Sequence, residues 1–273
     1  MKKDIVFGSS GLVGSAFYQL LKKDKNFIFF SKNNKKFKKF NLNTDIKKFP
    51  LKSVNNCYFF SSPRILRKNF INNEFKHELE WIKKVVSNIK INKLIYISSS
   101  SVYYEKNHII GSTKLKCEKL ILKNKHLFNN YQIWRPFNLI GEKYVNSDHF
   151  HNQLFKEMFL NKKYTTTFAG NLSDKRGYAD VSHFVRVLYK ESLKAKSFIN
   201  DYGNKDLVKV SEIIDLFNHY YVKINNFYFK SVFKSKKANI SKVKLKKNTT
   251  FYNKKSLTVL KKYLIKSLNE KKL

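Results

Sequence analysis

One stretch near the start of this chain decides its fold: Ile5-Val6-Phe7-Gly8-Ser9-Ser10-Gly11-Leu12-Val13-Gly14. The apolar run Ile5–Phe7 predicts a buried strand, and it leads directly into the first of three evenly spaced glycines. Apolar residues then recur with helical spacing as far as Leu21. A strand, a glycine turn and a helix in this order predict the first part of a βαβ unit.

The spacing G-x-x-G-x-x-G gives each glycine a separate task in binding a dinucleotide. The first permits a tight turn, the second lets the backbone approach a pyrophosphate, and the third lets the helix pack closely on the strand. The helix N-terminus then offers free N–H groups and the positive end of its dipole to the phosphates. We therefore predict a nicotinamide dinucleotide site. Its expected residues are Gly8, Ser10, Gly11, Leu12, Val13, Gly14, Ser31, Lys32 and Ser61.

The end of the second predicted strand, Phe27–Phe30, indicates which dinucleotide is bound. A carboxylate at this point binds the adenosine ribose and favours NAD. Here Ser31 and Lys32 follow the strand instead. A hydroxyl beside a lysine suits a 2′-phosphate, so we expect NADP rather than NAD.

Strands alternate with helices along the first half of the chain. Further strands are predicted at 40–43, 57–60, 94–97 and 131–134, and helices at 75–86 and 112–123. This alternation predicts right-handed crossovers and an α/β fold with a doubly wound parallel Rossmann sheet. After Gly141 the alternation weakens, which indicates a smaller C-terminal substrate lobe. The expected domains are 1–145 with a returning segment near 178–205, and 146–273.

The net charge of +37 raises the question of a polyanionic partner. Of the 56 basic residues only five are Arg, the usual choice for bidentate phosphate and base contacts. Lys, Asn, Ile, Phe and Tyr are all abundant, as an AT-rich genome favours. We therefore interpret the charge as compositional bias with solvated Lys faces, and do not expect nucleic acid as the partner.

Neither the cysteines nor the hydropathy indicates a special compartment. Cys57 and Cys117 are far apart and form no C-x-x-C pair, so no zinc site or disulfide framework is predicted. The pair His149-x-His151 lacks a well-spaced third ligand, so we expect exposed loop histidines and no metal. The first apolar run is too short for a signal peptide, and no stretch is long enough to span a membrane. We expect a cytoplasmic protein.

The segment Ser98-Ser99-Ser100-Ser101-Val102-Tyr103 resembles the S-S-x-x-V-Y motif of the nucleotide-sugar epimerases and dehydratases, in the extended short-chain dehydrogenase/reductases. The segment Gly111–Glu118 resembles the helix Y-G-x-S-K-x-x-x-E of the same family. The resemblance implies that Ser99 hydrogen-bonds the reacting oxygen of the substrate. It also implies that Lys114 holds the nicotinamide ribose and lowers the pKa of a tyrosine one helical turn earlier.

That tyrosine is replaced by Ile110, which cannot exchange a proton. Three accounts remain open. Another nearby group transfers the proton, with Tyr103, Tyr104 and His108 as candidates; or the protein binds its ligands without redox catalysis; or a shortened loop shifts the alignment. Loss of the acid/base group costs about 10²–10⁴ in rate.

Two further segments resemble the family. Within Trp134–Gly141, Asn138 falls where the family hydrogen-bonds the substrate diphosphate. Within Lys175–Val181, Arg176 falls where an arginine grips the nucleotide diphosphate. Residues 218–273 resemble nothing in the family.

The resemblance implies an NAD(P)-dependent epimerase, dehydratase or 4-keto reductase that acts on a nucleotide-activated sugar in surface-polysaccharide biosynthesis. It also allows a homodimer through a helix pair that includes 112–123. The alternative is a non-catalytic Rossmann protein that binds a dinucleotide or RNA and has lost the catalytic tyrosine.

Overall fold

The computed structural model describes residues 2–44, 46–63, 66, 69, 71–103, 109–142, 146–169, 171–234 and 249–272. The strands are β1 (Asp4–Phe7), β2 (Phe27–Ser31), β3 (Lys38–Lys39), β4 (Ser53–Phe59), β5 (Lys90–Ile97), β6 (Asn130–Pro136), β7 (Leu139–Ile140), β8 (Thr165–Ala169), β9 (Lys175–Arg176), β10 (Ala179–Asp180), β11 (Phe198–Asn204), β12 (Val208–Lys209), β13 (Lys230–Lys234) and β14 (Thr250–Tyr252). The α-helices are α1 (Leu12–Leu21), α2 (Lys76–Asn88), α3 (Ile109–Lys123), α4 (Phe150–Phe155), α5 (Val181–Ser192), α6 (Val210–Asn225) and α7 (Ser256–Lys271). A π-helical turn over Lys156–Leu160 follows α4, and 3₁₀ turns cover Ile46–Lys48, Ser100–Tyr103 and Lys125–Leu127.

Among these strands, eight form one central sheet in the order β14-β11-β6-β5-β4-β1-β2-β3. β1 pairs in parallel with β2 on one side and with β4 on the other. Parallel pairing continues outward to β3 on the first side, and through β5 and β6 to β11 on the second. The predicted doubly wound parallel α/β sheet is confirmed. Open sheets of this kind bind ligands beyond the carboxyl ends of the strands, where the strand order reverses; here that point lies between β1 and β4.

The chain divides into two compact units. The first contains the described residues of Met1–Pro136, Ser182–Tyr202 and Lys247–Thr249. The second contains those of Phe137–Val181, Gly203–Lys246 and Thr250–Leu273. Within the second unit, β7 pairs with β10 and β8 with β13 in parallel, and β9 pairs with β12 antiparallel.

The first unit is built from aromatic residues on both faces of the sheet. On one face, Phe7 packs against Phe30 and Phe49 at ring-centroid distances of 5.7 and 5.4 Å. On the other face, Phe17 of α1 packs against Tyr58 of β4 at 4.8 Å and against Tyr189 of α5 at 6.2 Å. Burial of such rings supplies much of the apolar area that stabilises a domain of this size. The packing also fixes where α1 begins relative to β1 and β4.

The predicted third strand at 40–43 is wrong. The strand lies earlier, at Lys38–Lys39, where both side chains are exposed and the backbone pairs with Phe30 and Ser31 of β2. Phe40 and Leu42 instead reach the core from the following loop. The apolar residues at 40 and 42 correctly predicted side chains near the core. They did not predict the position of the strand, which is set by backbone pairing at Lys38–Lys39.

Several predicted elements are longer in the structure than their apolar core indicated. The helix predicted from Ser112 begins at Ile109, and the strand predicted at 94–97 begins at Lys90. None of the described helices combines the length and the apolar character that a membrane crossing requires.

Candidate functional site

The glycine turn connects β1 to α1 with its backbone almost bare. Gly8 has φ +81°, and a Cβ there would lie 2.6 Å from the backbone carbon of Phe60 and the nitrogen of Ser61. A Cβ on Gly14 would lie 2.2 Å from the carbonyl oxygen of Gly8. At both positions the protein itself excludes a side chain.

Gly11 differs from the other two glycines. Its φ is −76°, which any residue adopts, and a Cβ there would meet only the Gly8 carbonyl oxygen, at 3.4 Å. No packing within the described residues therefore demands glycine at this position. The described residues thus leave the space above Gly11 open to a ligand that approaches the backbone closely.

Helix α1 begins at this turn with no side-chain cap among the described residues. At its start, the N–H of Ser15 donates to the carbonyl oxygen of Gly11, at 2.8 Å. The N–H groups of Leu12 and Val13 belong to the first turn, which has no intrahelical acceptors. Together with the helix dipole they suit a pyrophosphate, so the turn fits the predicted dinucleotide.

The end of β2 lies beside this turn. The hydroxyl of Ser31 is buried and donates to the hydroxyl of Ser10 at 3.0 Å, while Lys32 is exposed. Ser61, half-buried, follows β4 next to Gly8. The structure thus gathers Ser10, Ser31 and Ser61 around one turn, with Lys32 as the exposed basic residue at the end of the strand.

Ser99 follows β5 and is half-buried. Its oxygen accepts hydrogen bonds from the backbone N–H of Ser101 at 3.1 Å and from the Ser101 hydroxyl at 2.9 Å. These bonds occupy its lone pairs. The hydroxyl proton of Ser99 is therefore the part of the group that can bind a ligand oxygen.

Lys114 points into the interior from α3. Its ammonium donates to Glu78 Oε1 at 2.6 Å and to the carbonyl oxygen of Ile97 at 2.8 Å. It also lies 5.0 Å from the centre of the Tyr96 ring. Ile110, one turn earlier, is a buried apolar side chain. An ammonium has three protons, so these two acceptors leave one for a further partner.

Tyr103 is held between two charged groups. Its hydroxyl donates to the carboxylate of Asp201, at 2.8 and 2.9 Å, and accepts from Arg135 Nη1 at 2.8 Å. Burial, together with the Asp201 hydrogen bond, raises the pKa of Tyr103 to about 12 despite Arg135. The phenol is therefore protonated at neutral pH. The other candidates, Tyr104 and His108, lie outside the described residues.

Arg135 links Tyr103 to a second buried carboxylate. Its Nε donates to Glu118 Oε1 at 2.9 Å, its Nη2 pairs with the other oxygen, and Ser98 also donates to Glu118. Arg135 lies at the end of β6, and Ser98 directly precedes Ser99. The bidentate pair therefore fixes the backbone next to Ser99.

In the second unit, Arg176 has one buried side-chain nitrogen to which the described residues give no hydrogen-bond partner. Its guanidinium lies 5.0 Å from the ring of Phe150, and its Nε has no hydrogen bond within the described residues. A buried donor without an acceptor is costly, so this nitrogen is suited to a ligand oxygen. Asn138 is exposed, has φ +28°, and its carbonyl accepts from the N–H of Ala179 at 3.3 Å.

The expectation of exposed histidines in this unit is wrong. His151 is buried between Tyr178 and Tyr263, at ring distances of 5.5 and 5.2 Å, and His149 is half-buried. Burial, with a smaller contribution from Arg176, lowers the pKa of both. No group of three His, Cys, Asp or Glu within the described ranges could hold a metal ion.

The sequence analysis did not single out four charged residues that bond to the groups described above: Glu78, Glu118 and Asp201, which are buried, and Arg135, which is half-buried. Arg135 offered a signal, since it is one of few arginines in a lysine-rich chain. Glu118 stands four residues after Lys114, on the same helix face. Glu78 and Asp201 gave no local signal, because their partners lie 36 and 98 residues away.

Solved structures of other proteins share the fold of this chain, although their sequence identity to it is low. No protein-family model and no curated protein matches the sequence. Among solved structures, UDP-glucuronic acid 4-epimerase from Bacillus cereus in complex with NAD is similar with a TM-score of 0.71 and 22% identity, over 96% of this chain and 95% of that chain. MoeE5 in complex with UDP-glucuronic acid and NAD is similar with a TM-score of 0.72 and 16% identity, over 99% and 100%.

A third similar structure is TunA, an NAD-dependent NDP-hexosamine 5,6-dehydratase involved in tunicamycin biosynthesis. Its TM-score is 0.74 at 11% identity, over 100% of this chain and 98% of that chain. The chain has the fold of these enzymes. The likeness extends over nearly the full length of each, so it includes both units.

The Arg135–Glu118 pair gives a stability prediction. Arg135→Met leaves Glu118 buried with Ser98 as its one remaining partner within the described residues, so the free energy of unfolding should fall by about 3–5 kcal/mol. Urea unfolding measures it. The matched control is Arg186→Gln on the exposed face of α5, which should change stability by less than about 0.5 kcal/mol. Equal effects for the two variants would contradict a structural role for the pair.

Proposed function

We propose that this chain binds a nicotinamide dinucleotide at the glycine turn and acts on a nucleotide-activated sugar. The reaction is epimerisation, dehydration or 4-keto reduction, in surface-polysaccharide biosynthesis. The observation that carries the proposal is the space over Gly11 that the described residues leave open, beside a first turn of α1 to which none of them gives a side-chain cap. The NAD-bound structures that share the fold support the same class of cofactor and substrate.

Within the first unit, the groups suited to the reaction lie at the end of β5. A bound nicotinamide dinucleotide supplies a hydride acceptor or donor. Ser99 donates its hydroxyl proton to the reacting oxygen of the sugar, because Ser101 occupies its lone pairs. Lys114 offers its remaining ammonium proton to a ribose hydroxyl.

The second unit supplies the groups suited to the nucleotide diphosphate. Arg176 carries a buried Nε without a partner within the described residues, and a phosphate oxygen would satisfy it. Asn138 is exposed beside β7 and offers its amide. We assign both residues to substrate binding.

Proton transfer is assigned to Tyr103 or Tyr104. Burial and the Asp201 hydrogen bond raise the pKa of Tyr103 to about 12, so the phenol is protonated at neutral pH and donates its proton to the Asp201 carboxylate. Tyr103 therefore serves a substrate oxygen only if that oxygen replaces Asp201 as the acceptor of this proton.

A second candidate function is non-catalytic binding of a dinucleotide or of RNA. It is favoured by Ile110, a buried apolar side chain at the helix position where the proton carrier is expected. If RNA is the partner, affinity should fall steeply with salt. Lys-to-Gln changes in the C-terminal part of the chain should then abolish it.

For the cofactor we propose NADP rather than NAD, because Lys32 is exposed at the end of β2 and Ser31 and Ser10 stand beside it. The homodimer through a helix pair that includes 112–123 stays a prediction.

Two glycine variants test the dinucleotide site. Gly11→Ala should leave stability within about 0.5 kcal/mol and weaken dinucleotide binding at least tenfold, because the new methyl group fills the space for phosphate. Gly14→Ala should destabilise the fold by about 1–3 kcal/mol, because its Cβ overlaps the Gly8 carbonyl. Calorimetric titration with NADH and NADPH, together with urea unfolding, measures both. Parental affinity in Gly11→Ala would remove the proposal.

A turnover assay distinguishes the proposed enzymatic function from the non-catalytic binding function. The purified protein with NAD or NADPH should convert at least one member of a panel of nucleotide sugars, followed by absorbance of the reduced cofactor and by mass spectrometry. Silence across the whole panel with tight cofactor binding retained would favour the non-catalytic function.

Cofactor choice depends on one exposed charge. Lys32→Gln should weaken NADPH binding about tenfold, or ~1.4 kcal/mol, and leave NADH binding unchanged. The matched control is Lys23→Gln, an exposed lysine beyond the end of α1. If Lys32→Gln weakens both cofactors equally, or neither, Lys32 does not select the 2′-phosphate.

A further inference from the structure

Glu78 is a buried carboxylate that no sequence motif assigns. It lies on α2 with 1% of its surface exposed. Its Oε1 accepts from Lys114 Nζ at 2.6 Å and from the Tyr96 hydroxyl at 2.8 Å, and its Oε2 accepts from the Ser62 hydroxyl at 2.7 Å. Three donors from separate elements therefore converge on one carboxylate.

These donors come from the edge of the sheet where a ligand is expected. Ser62 follows β4, and the other acceptor of Lys114 is the carbonyl of Ile97, the last residue of β5. β4 and β5 are neighbours, and β4 also borders β1. Glu78 thus fixes Lys114 beside the carboxyl ends of two strands, in contact with Ile97, two residues before Ser99 in the chain.

The pair has an electrostatic consequence. A lysine alone at this position would make the end of β5 positive, whereas Glu78 and Lys114 together are neutral. Burial and then the negative charge of Glu78 raise the pKa of Tyr96, whose hydroxyl donates to the same carboxylate. Charge interactions are strong here because little water screens them.

The charge matters for a nicotinamide ring, which carries one positive charge when oxidised and none when reduced. A positive end of β5 would disfavour the oxidised ring, and a neutral end would not. The two forms of the cofactor therefore report the local charge directly.

We propose that Glu78 is a positioning residue of the dinucleotide site, which holds Lys114 at the end of β5 and offsets its charge so that the oxidised cofactor is retained. This inference rests on the proposed function. It adds that Glu78 sets the ratio of the affinities for the oxidised and the reduced cofactor. Neither the fold nor any sequence motif predicts this role.

The test compares dissociation constants for NAD⁺ and NADH, and for NADP⁺ and NADPH, in four proteins: the parent, Glu78→Gln, Lys114→Met, and the double variant. Glu78→Gln should weaken the oxidised form relative to the reduced form about five- to twentyfold, as for a charge ~10 Å away at an effective dielectric constant of ~20. Lys114→Met should shift the ratio in the opposite direction. The double variant, again neutral, should return to within about twofold of the parental ratio.

Each outcome decides. If the parent binds the cofactor and the ratio stays constant in all variants, Glu78 is only structural and the inference is overturned. If one single variant does not fold, the other two proteins still test the inference. The remaining single variant should show a shifted ratio of affinities, and the double variant should show the parental ratio. If the parent binds neither the cofactors nor ADP-ribose, the proposed function itself fails, which is a distinct result.

Discussion

Helix α1 starts in direct contact with the turn that precedes it, and the rest of the candidate site depends on this contact. The α-carbon of Gly14 lies against the carbonyl of Gly8, and Phe17 anchors the helix on Tyr58 of β4. These two contacts fix the start of α1 against β1, so the first N–H groups of the helix lie at the end of that strand. A side chain at either Gly8 or Gly14 would force the two apart.

Buried ion pairs hold the segments that follow β5 and β6 at the carboxyl ends of the strands. Two acidic residues, Glu78 and Glu118, each accept from a basic residue of a neighbouring element, Lys114 and Arg135 respectively. A buried pair contributes little net stability, because desolvation offsets the attraction, yet losing one partner is expensive. Such pairs are therefore best understood as fixing geometry, here the geometry of the segment on which Ser99 lies.

The elements were predictable where local pattern and tertiary burial agree. The turn Gly8–Gly14 combines three independent signals, namely an apolar strand, spaced glycines and a helical repeat, and the structure has all three. β3 was misplaced because its exposed lysines pair through the backbone, which leaves no apolar signal. His151 was taken as exposed because a lone histidine pattern does not reveal the two tyrosine rings that enclose it.

A local sequence pattern does not predict contacts between residues that are far apart in the chain. Lys114 could be singled out from its motif, but its partner Glu78 could not, since the contact depends on how α2 packs on the sheet. Tyr103 could be proposed as a proton carrier, whereas its pKa of about 12 depends on its burial in the fold and then on a carboxylate that stands 98 residues further on. The chemistry of a site therefore needs the fold as well as the motif.

The central claim is that the backbone amides at the start of α1 bind a pyrophosphate. The most direct measurement is an amide NMR titration of the ¹⁵N-labelled chain with ADP-ribose and with each dinucleotide. The largest shifts should fall on Ser10, Gly11, Leu12 and Val13, in the same order of magnitude for every ligand that carries the pyrophosphate. Saturation without perturbation of these four amides, or no binding of any of the ligands, would contradict the account.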